Sequence, residues 1–200
     1  MARDEAFCFY YEDSLDLLGR MGAELVPFSP LADAALPADV HGLYLGGGYP
    51  ELYAARLAEN ETMRASVRAS VARGLPCIAE CGGFMYLTES IGGHPMVSAL
   101  PGACRDAGRL TRFGYVTLTA REDNLLCRRG ESVPAHEFHH WDVDFPGSGF
   151  RAEKLNGRRW DCAVTGPRLY AGFPHFHFYG FPQAAENFYR ACLEEKHCHD

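Results

Sequence analysis

The segment Leu75-Pro-Cys-Ile-Ala-Glu-Cys81-Gly-Gly-Phe-Met-Tyr-Leu87 sets one cysteine, Cys81, between an apolar run and a stretch with helical spacing. That is the layout of a nucleophile elbow. The turn is tight enough to need small neighbours, and Gly82 and Gly83 remove the Cβ atoms that would block an approaching substrate. Exposed N–H groups and the helix dipole favour the reactive thiolate at such a position, and the N–H after the nucleophile can serve an oxyanion. The competing reading of any single cysteine is a buried structural thiol, and Cys77, inside the same strand, takes that reading.

A second signal is Gly46-Gly47-Gly48-Tyr49-Pro50-Glu51, which follows another short apolar run. Three glycines after a strand expose backbone N–H groups that bind phosphate, or the oxyanion formed when a carbonyl is attacked. No GxxxxGK[ST] occurs in the 200 residues, so oxyanion binding fits better than a P-loop. A flexible turn capped by Pro50 is the plainer alternative.

A cysteine nucleophile needs a base, and nine histidines are present. They cluster at His136-Glu137-Phe138-His139-His140 and at His175-Phe176-His177, the latter just after an expected strand over 169–173. Residues two apart on a strand share a face, which predicts that His175 and His177 point into one cleft. Metal binding by these groups with His136, His139 and Glu137 is the alternative, although the spacing matches no familiar ligand motif, and no metal is expected. The tail His197-Cys198-His199 reads as a solvated, frayed end.

These groups need elements to position them, and the first half alternates strand-like runs with helical spacing, the pattern of βαβ units and a parallel sheet. Helices are predicted over 14–21, capped by Asp13 or Ser14, over 51–73 with a break near Asn60, over 84–90 and over 183–195. Strands are predicted over 23–28, 42–45, 76–79, 113–119, 135–139 and 160–165. Met1 to Glu5 is short and polar, so the strand that opens such a fold is expected to be truncated, or reduced to a stub around Ala6 to Phe9.

Composition bounds the function. The chain has 19 basic and 26 acidic side chains, a formal charge of −7 and no basic stripe, which argues against nucleic acid. Hydrophobic residues make up 47%, enough for one sizeable core, and no linker divides residues 1–200. No apolar run is long enough for a membrane span and no secretory h-region follows Met1, so the expected setting is the cytoplasm. Eight cysteines without a CxxC pair are there expected to be reduced thiols.

Five ordered motifs resemble one family: Leu43-Tyr-Leu-Gly-Gly-Gly-Tyr-Pro-Glu51, Ala79-Glu-Cys-Gly-Gly-Phe-Met-Tyr-Leu87, Arg112-Phe-Gly-Tyr115, His136-Glu-Phe-His139 and Pro174-His-Phe-His-Phe178. They are similar to the glutamine amidotransferase domain of the cobyrinic acid a,c-diamide synthases. The resemblance implies a class I amidotransferase: an α/β, flavodoxin-like three-layer sandwich with a mostly parallel central sheet. It implies that Cys81 attacks the carboxamide of glutamine, that N–H groups near Gly47, Gly48 and Gly82 hold the oxyanion, and that His175 moves the proton. The wider superfamily has a Glu two residues after its catalytic His, and here that position is His177. The orienting carboxylate is therefore open, with Glu137 and Glu51 as candidates, His136 and His177 as supporting groups, and a Cys–His dyad as the alternative.

The resemblance also implies that ammonia passes to an ATP- and Mg²⁺-dependent amidoligase domain, or subunit, that is absent from these 200 residues; no cofactor is expected in the glutaminase domain. Homo-oligomerisation is left open. Related glutaminases serve a nickel-sirohydrochlorin or a cell-wall precursor, so the acceptor is open too. A catalytically silent interaction domain with a redox-sensitive Cys81, or a His/Cys metal carrier, are the readings from other classes.

Overall fold

Two short apolar runs, β1 (Leu43–Leu45) and β2 (Cys77–Glu80), are buried at every position, which is how a strand covered on both faces reads. In the computed structural model, which describes residues 1–197, they pair in parallel at one side of a four-stranded sheet, with β1 outermost. Beyond β2 lie β12 (Leu169–Gly172), also parallel, and β11 (Val164–Gly166), antiparallel at the edge. Alternation along these strands divides the core. Leu43, Leu45, Cys77, Ala79 and Ala171 join one apolar cluster with Met63, Val67 and Phe84, whereas Tyr44, Ile78 and Tyr170 join another with Leu15, Leu18 and Phe188.

The first cluster is roofed by α2 (Ala54–Glu59), α3 (Glu61–Ala72) and α4 (Gly82–Leu87). The expected break at Asn60 is present because Asn60 caps α3: its Oδ1 accepts from Met63 N at 3.3 Å while its amide holds the carbonyls of Pro30 and Asp33. The second cluster packs against α1 (Glu12–Arg20), α5 (Pro182–His197) and a five-stranded sheet. That sheet runs β10 (Arg159–Cys162), β9 (Phe150–Glu153), β6 (Arg112–Ala120), β7 (Ser132–His139) and β13 (His175–Phe176), antiparallel throughout. A small third sheet is formed by β3 (Ser90–Ile91), β4 (His94–Pro95), β5 (Ala103–Asp106) and β8 (Trp141–Val143). The arrangement is the α/β class expected, with mixed sheets around a mostly parallel centre.

Three local expectations need correction. Residues 23–28 form no strand; their neighbour is Met1–Arg3, too short for a ladder, and pairing is limited to a bridge between Ala2 and Phe28. That same stub donates from Ala2 N to the Tyr44 carbonyl, so the first-strand position is held by residues 1–3 rather than 6–9. α1 begins at Glu12 without a side-chain cap, because Asp13 Oδ1 accepts from the next residue's N–H and the Ser14 hydroxyl accepts from Phe178 N at 3.1 Å. The run 160–165 divides into β10 and β11 at Ala163, whose φ of +64° turns the chain from one sheet to the other. Cys198 and His199, expected to fray, lie outside the described residues.

Candidate active site

Cys81 sits where β2 ends and α4 begins, with φ +48° and ψ −101°, a left-handed conformation that strains any residue bearing a Cβ. Packing enforces the strain. Cys81 N donates to the Gly172 carbonyl at 2.8 Å, its own carbonyl accepts from Met85 N, and Gly83 N donates to the Gly46 carbonyl. A Cβ on Gly83 would lie 2.1 Å from Leu45 O, and one on Gly82 2.9 Å from Pro50 Cδ, so the glycine pair lets the elbow seat against the first glycine loop.

That loop is equally filled. A Cβ on Gly48, at φ +150°, would lie 2.2 Å from Ala6 O, and one on Gly47 would lie 2.6 Å from His175 Cε1. Gly47 N donates to the Phe9 carbonyl at 3.2 Å, which corrects its expected part: it makes room for the imidazole rather than offering an N–H. Gly48 N and Gly82 N donate to no group among the described residues, and the two glycines are in contact, so they remain the pair of donors available to an oxyanion.

His175 is buried on β13 beside Cys81, near enough for the two side chains to interact electrostatically. Burial alone would disfavour its charged form, but the neighbouring Cys81 and Glu80 outweigh it and raise its pKa. Glu80 is the residue the sequence reading passed over. It is 2% exposed, and its Oε2 lies 3.5 Å from His175 Nδ1. The signal available was a carboxylate closing a wholly apolar strand, which cannot be buried without partners.

The other expected groups do not converge in the same way. His177 is partly exposed and stands beside Tyr11, its Nε2 3.1 Å from Asp13 Oδ2, so the late histidines do not share one cleft. His136 pairs in register with His175 and is packed edge-on against Phe113 and Tyr115, its pKa lowered by burial and by His175. Glu137 takes the opposite face of β7, as strand alternation requires, and is buried with Oε2 unpartnered and its pKa raised to about 7 by burial. His139, on Glu137's face, is stacked on Phe173 with its pKa lowered to about 4 by burial. Among the described residues no three or more His, Cys, Asp or Glu gather as metal ligands.

Cys81, 8% exposed, lines a cavity of about 340 Å³ together with Gly48, Tyr49, Glu51, Arg109 and His140. Glu51 is therefore a group of the cavity wall, its pKa raised by burial, and makes no contact with His175. A thiol lining a cavity, a buried imidazole beside it and two N–H groups without a described partner are the kinds of group that acyl transfer requires.

The profile of the CobB/CobQ-like glutamine amidotransferase domain matches residues 1–182. The chain belongs to that family. It is 42% identical over 202 residues to a cobyrinate a,c-diamide synthase of Synechococcus sp., and 43% identical over 201 residues to one of Salmonella typhimurium. These alignments take in 97% and 96% of the chain but 44% of either relative, so the chain spans less than half of their length. A solved glutamine amidotransferase matches with a TM-score of 0.65 at 18% identity, over 96% of this chain and 98% of its own. PurLQS from Thermotoga maritima matches at 0.61 and 17%, over 92% and 91%. At such identities the structural likenesses speak for the fold, which is that of the class I glutamine amidotransferases.

Proposed function

We propose that this chain is the glutaminase module of a cobyrinate a,c-diamide synthase and supplies ammonia for amidation of the a and c carboxylates of cobyrinic acid in cobalamin biosynthesis. The observation that carries the reading is the strained Cys81 beside a buried His175, at an elbow where Gly48 N and Gly82 N donate to no described group. His175 takes the thiol proton and the thiolate sulfur attacks the carboxamide carbon of glutamine. The oxygen, now anionic, lies against Gly48 N and Gly82 N. His175 returns the proton to the departing nitrogen, the C–N bond breaks, and ammonia leaves a γ-glutamyl thioester. Water adds to the thioester with His175 as base, and glutamate departs with the thiol restored.

The nucleotide chemistry belongs to the remainder of the relatives' length. ATP and Mg²⁺ are assigned to that remainder, and no step above uses them. The rings of Phe113, Tyr115 and Phe138 stand exposed on the face of β6 and β7 that His136 and His175 share, an apolar surface for such a partner to cover. Among the described residues no helix is long and apolar enough to cross a membrane.

The test is labelling with the glutamine analogue 6-diazo-5-oxo-L-norleucine, followed by peptide mass spectrometry. One adduct on Cys81, suppressed by glutamine, is expected. Labelling spread over other cysteines, or indifferent to glutamine, would sink the reading.

A further inference from the structure

A buried imidazole that moves protons needs its second nitrogen held, because that contact fixes which nitrogen faces the thiol. His175 Nδ1 is buried, and among the described residues its approach to Glu80 is the one polar contact it makes. We propose that Glu80 is the positioning carboxylate of the Cys81–His175 pair, and that Tyr44 braces it. The proposal rests on the glutaminase reading and supplies the carboxylate that reading left unassigned.

Both carboxylate oxygens are engaged. Oε1 accepts from Phe176 N at 2.8 Å, the N–H of the residue after His175. Oε2 accepts from the Tyr44 hydroxyl at 2.9 Å and stands 3.5 Å from His175 Nδ1. Glu80 therefore grips the backbone and the ring of the same short strand. It is also the residue before Cys81 in the chain, so nucleophile and positioning group ride on one strand end and base and backbone clamp on another. The carboxylate ties the central sheet to the five-stranded sheet at the point where proton transfer occurs. Tyr44 is wholly buried beside this carboxylate, and burial raises its pKa well above the ordinary phenol value, so it stays a donor.

The rival groups are turned elsewhere. His177 occupies the position two residues after His175 and pairs with Asp13; Glu137 lies on the other face of β7; Glu51 lines the cavity that Cys81 also lines. With Nδ1–H aimed at Glu80, the neutral ring leaves Nε2 as the acceptor for the thiol proton.

Glutamine hydrolysis by the whole chain separates these roles. Glu80→Gln is expected to lower kcat by about a hundredfold or more with KM changed less than about threefold. It should also move the pH midpoint of Cys81 alkylation by iodoacetamide upward, since the imidazolium that favours the thiolate loses its carboxylate. Tyr44→Phe should lower kcat by about three- to tenfold, and His177→Ala by less than about twofold. If Glu80→Gln does not fold, Tyr44→Phe carries the test, because it leaves every charge in place. Unchanged kcat and an unchanged alkylation profile in the folded variant, or in Tyr44→Phe when it stands alone, overturn the assignment. Wild-type protein that shows no glutamine-protected labelling fails at the glutaminase reading instead.

Discussion

On the central sheet every residue of β1 and β2 is buried, and a Cβ added at Gly47, Gly48, Gly82 or Gly83 would meet a neighbouring atom within 3 Å. On the five-stranded sheet, β6 and β7 alternate buried with open positions and leave Tyr115 83% exposed. Both regions contribute to the site, the first through Cys81 and the second through His175. The difference lies in tolerance. The closed region has no room for an added Cβ at these glycines, whereas the open region presents Phe113, Tyr115 and Phe138 to solvent. Exposed apolar patches of this kind commonly mark surfaces that a partner covers.

The largest expected effect strikes the point where the two regions meet. Cys81→Ser, and more weakly His175→Ala, should reduce glutamine hydrolysis by about a thousandfold or more, with melting temperatures within a few degrees of wild type. Retained hydrolysis in Cys81→Ser would remove the elbow from the chemistry. Gly83→Ala comes next: its Cβ would meet the Leu45 carbonyl, a backbone atom that cannot swing aside, so destabilisation of about 3 kcal/mol or more is expected in a denaturant titration.

Tyr115→Asp sharpens the contrast from the open side. Labelling of Cys81 should stay within about twofold of wild type, while affinity for the amidoligase part, supplied as the corresponding segment of the Salmonella relative, should fall about tenfold. Equal loss of both would mean that the aromatic face supports the site rather than a partner.

The smallest effect concerns pH. Glu137 has a folded pKa of about 7 against an ordinary 4.5, so the folded state binds more protons and stability falls as pH rises through that window. Glu137→Gln should remove the slope and stabilise the fold at pH 8 by about 2 kcal/mol, with little change at pH 4. Thermal melts at the two pH values read this directly, and a wild-type melt flat between them would contradict the assignment.

Much of this was legible before the coordinates. The strand–Cys–Gly–Gly–helix order around Cys81 is local, and so is the Asn60 break, because one residue type both stops a helix and caps the next. Glu80 was missed for the opposite reason: its partners, Tyr44 and Phe176, are 36 and 96 residues away, and nothing nearby in the chain announces them. His177 misled through a sound rule. Alternation does match it with His175, but two residues carry the chain roughly 7 Å along, from buried core to Asp13 at the surface. Residues 23–28 have strand composition, yet a strand is made by its neighbour, and their pairing is limited to one bridge between Ala2 and Phe28.

The left-handed backbone at position 81 has a consequence for how such a chain drifts under mutation. Glycine suits that conformation better than any other residue, so Cys81→Gly should relax the turn even as it silences the enzyme. A cysteine at position 81 thus holds a backbone conformation that its own Cβ disfavours, a local cost that glycine would not carry.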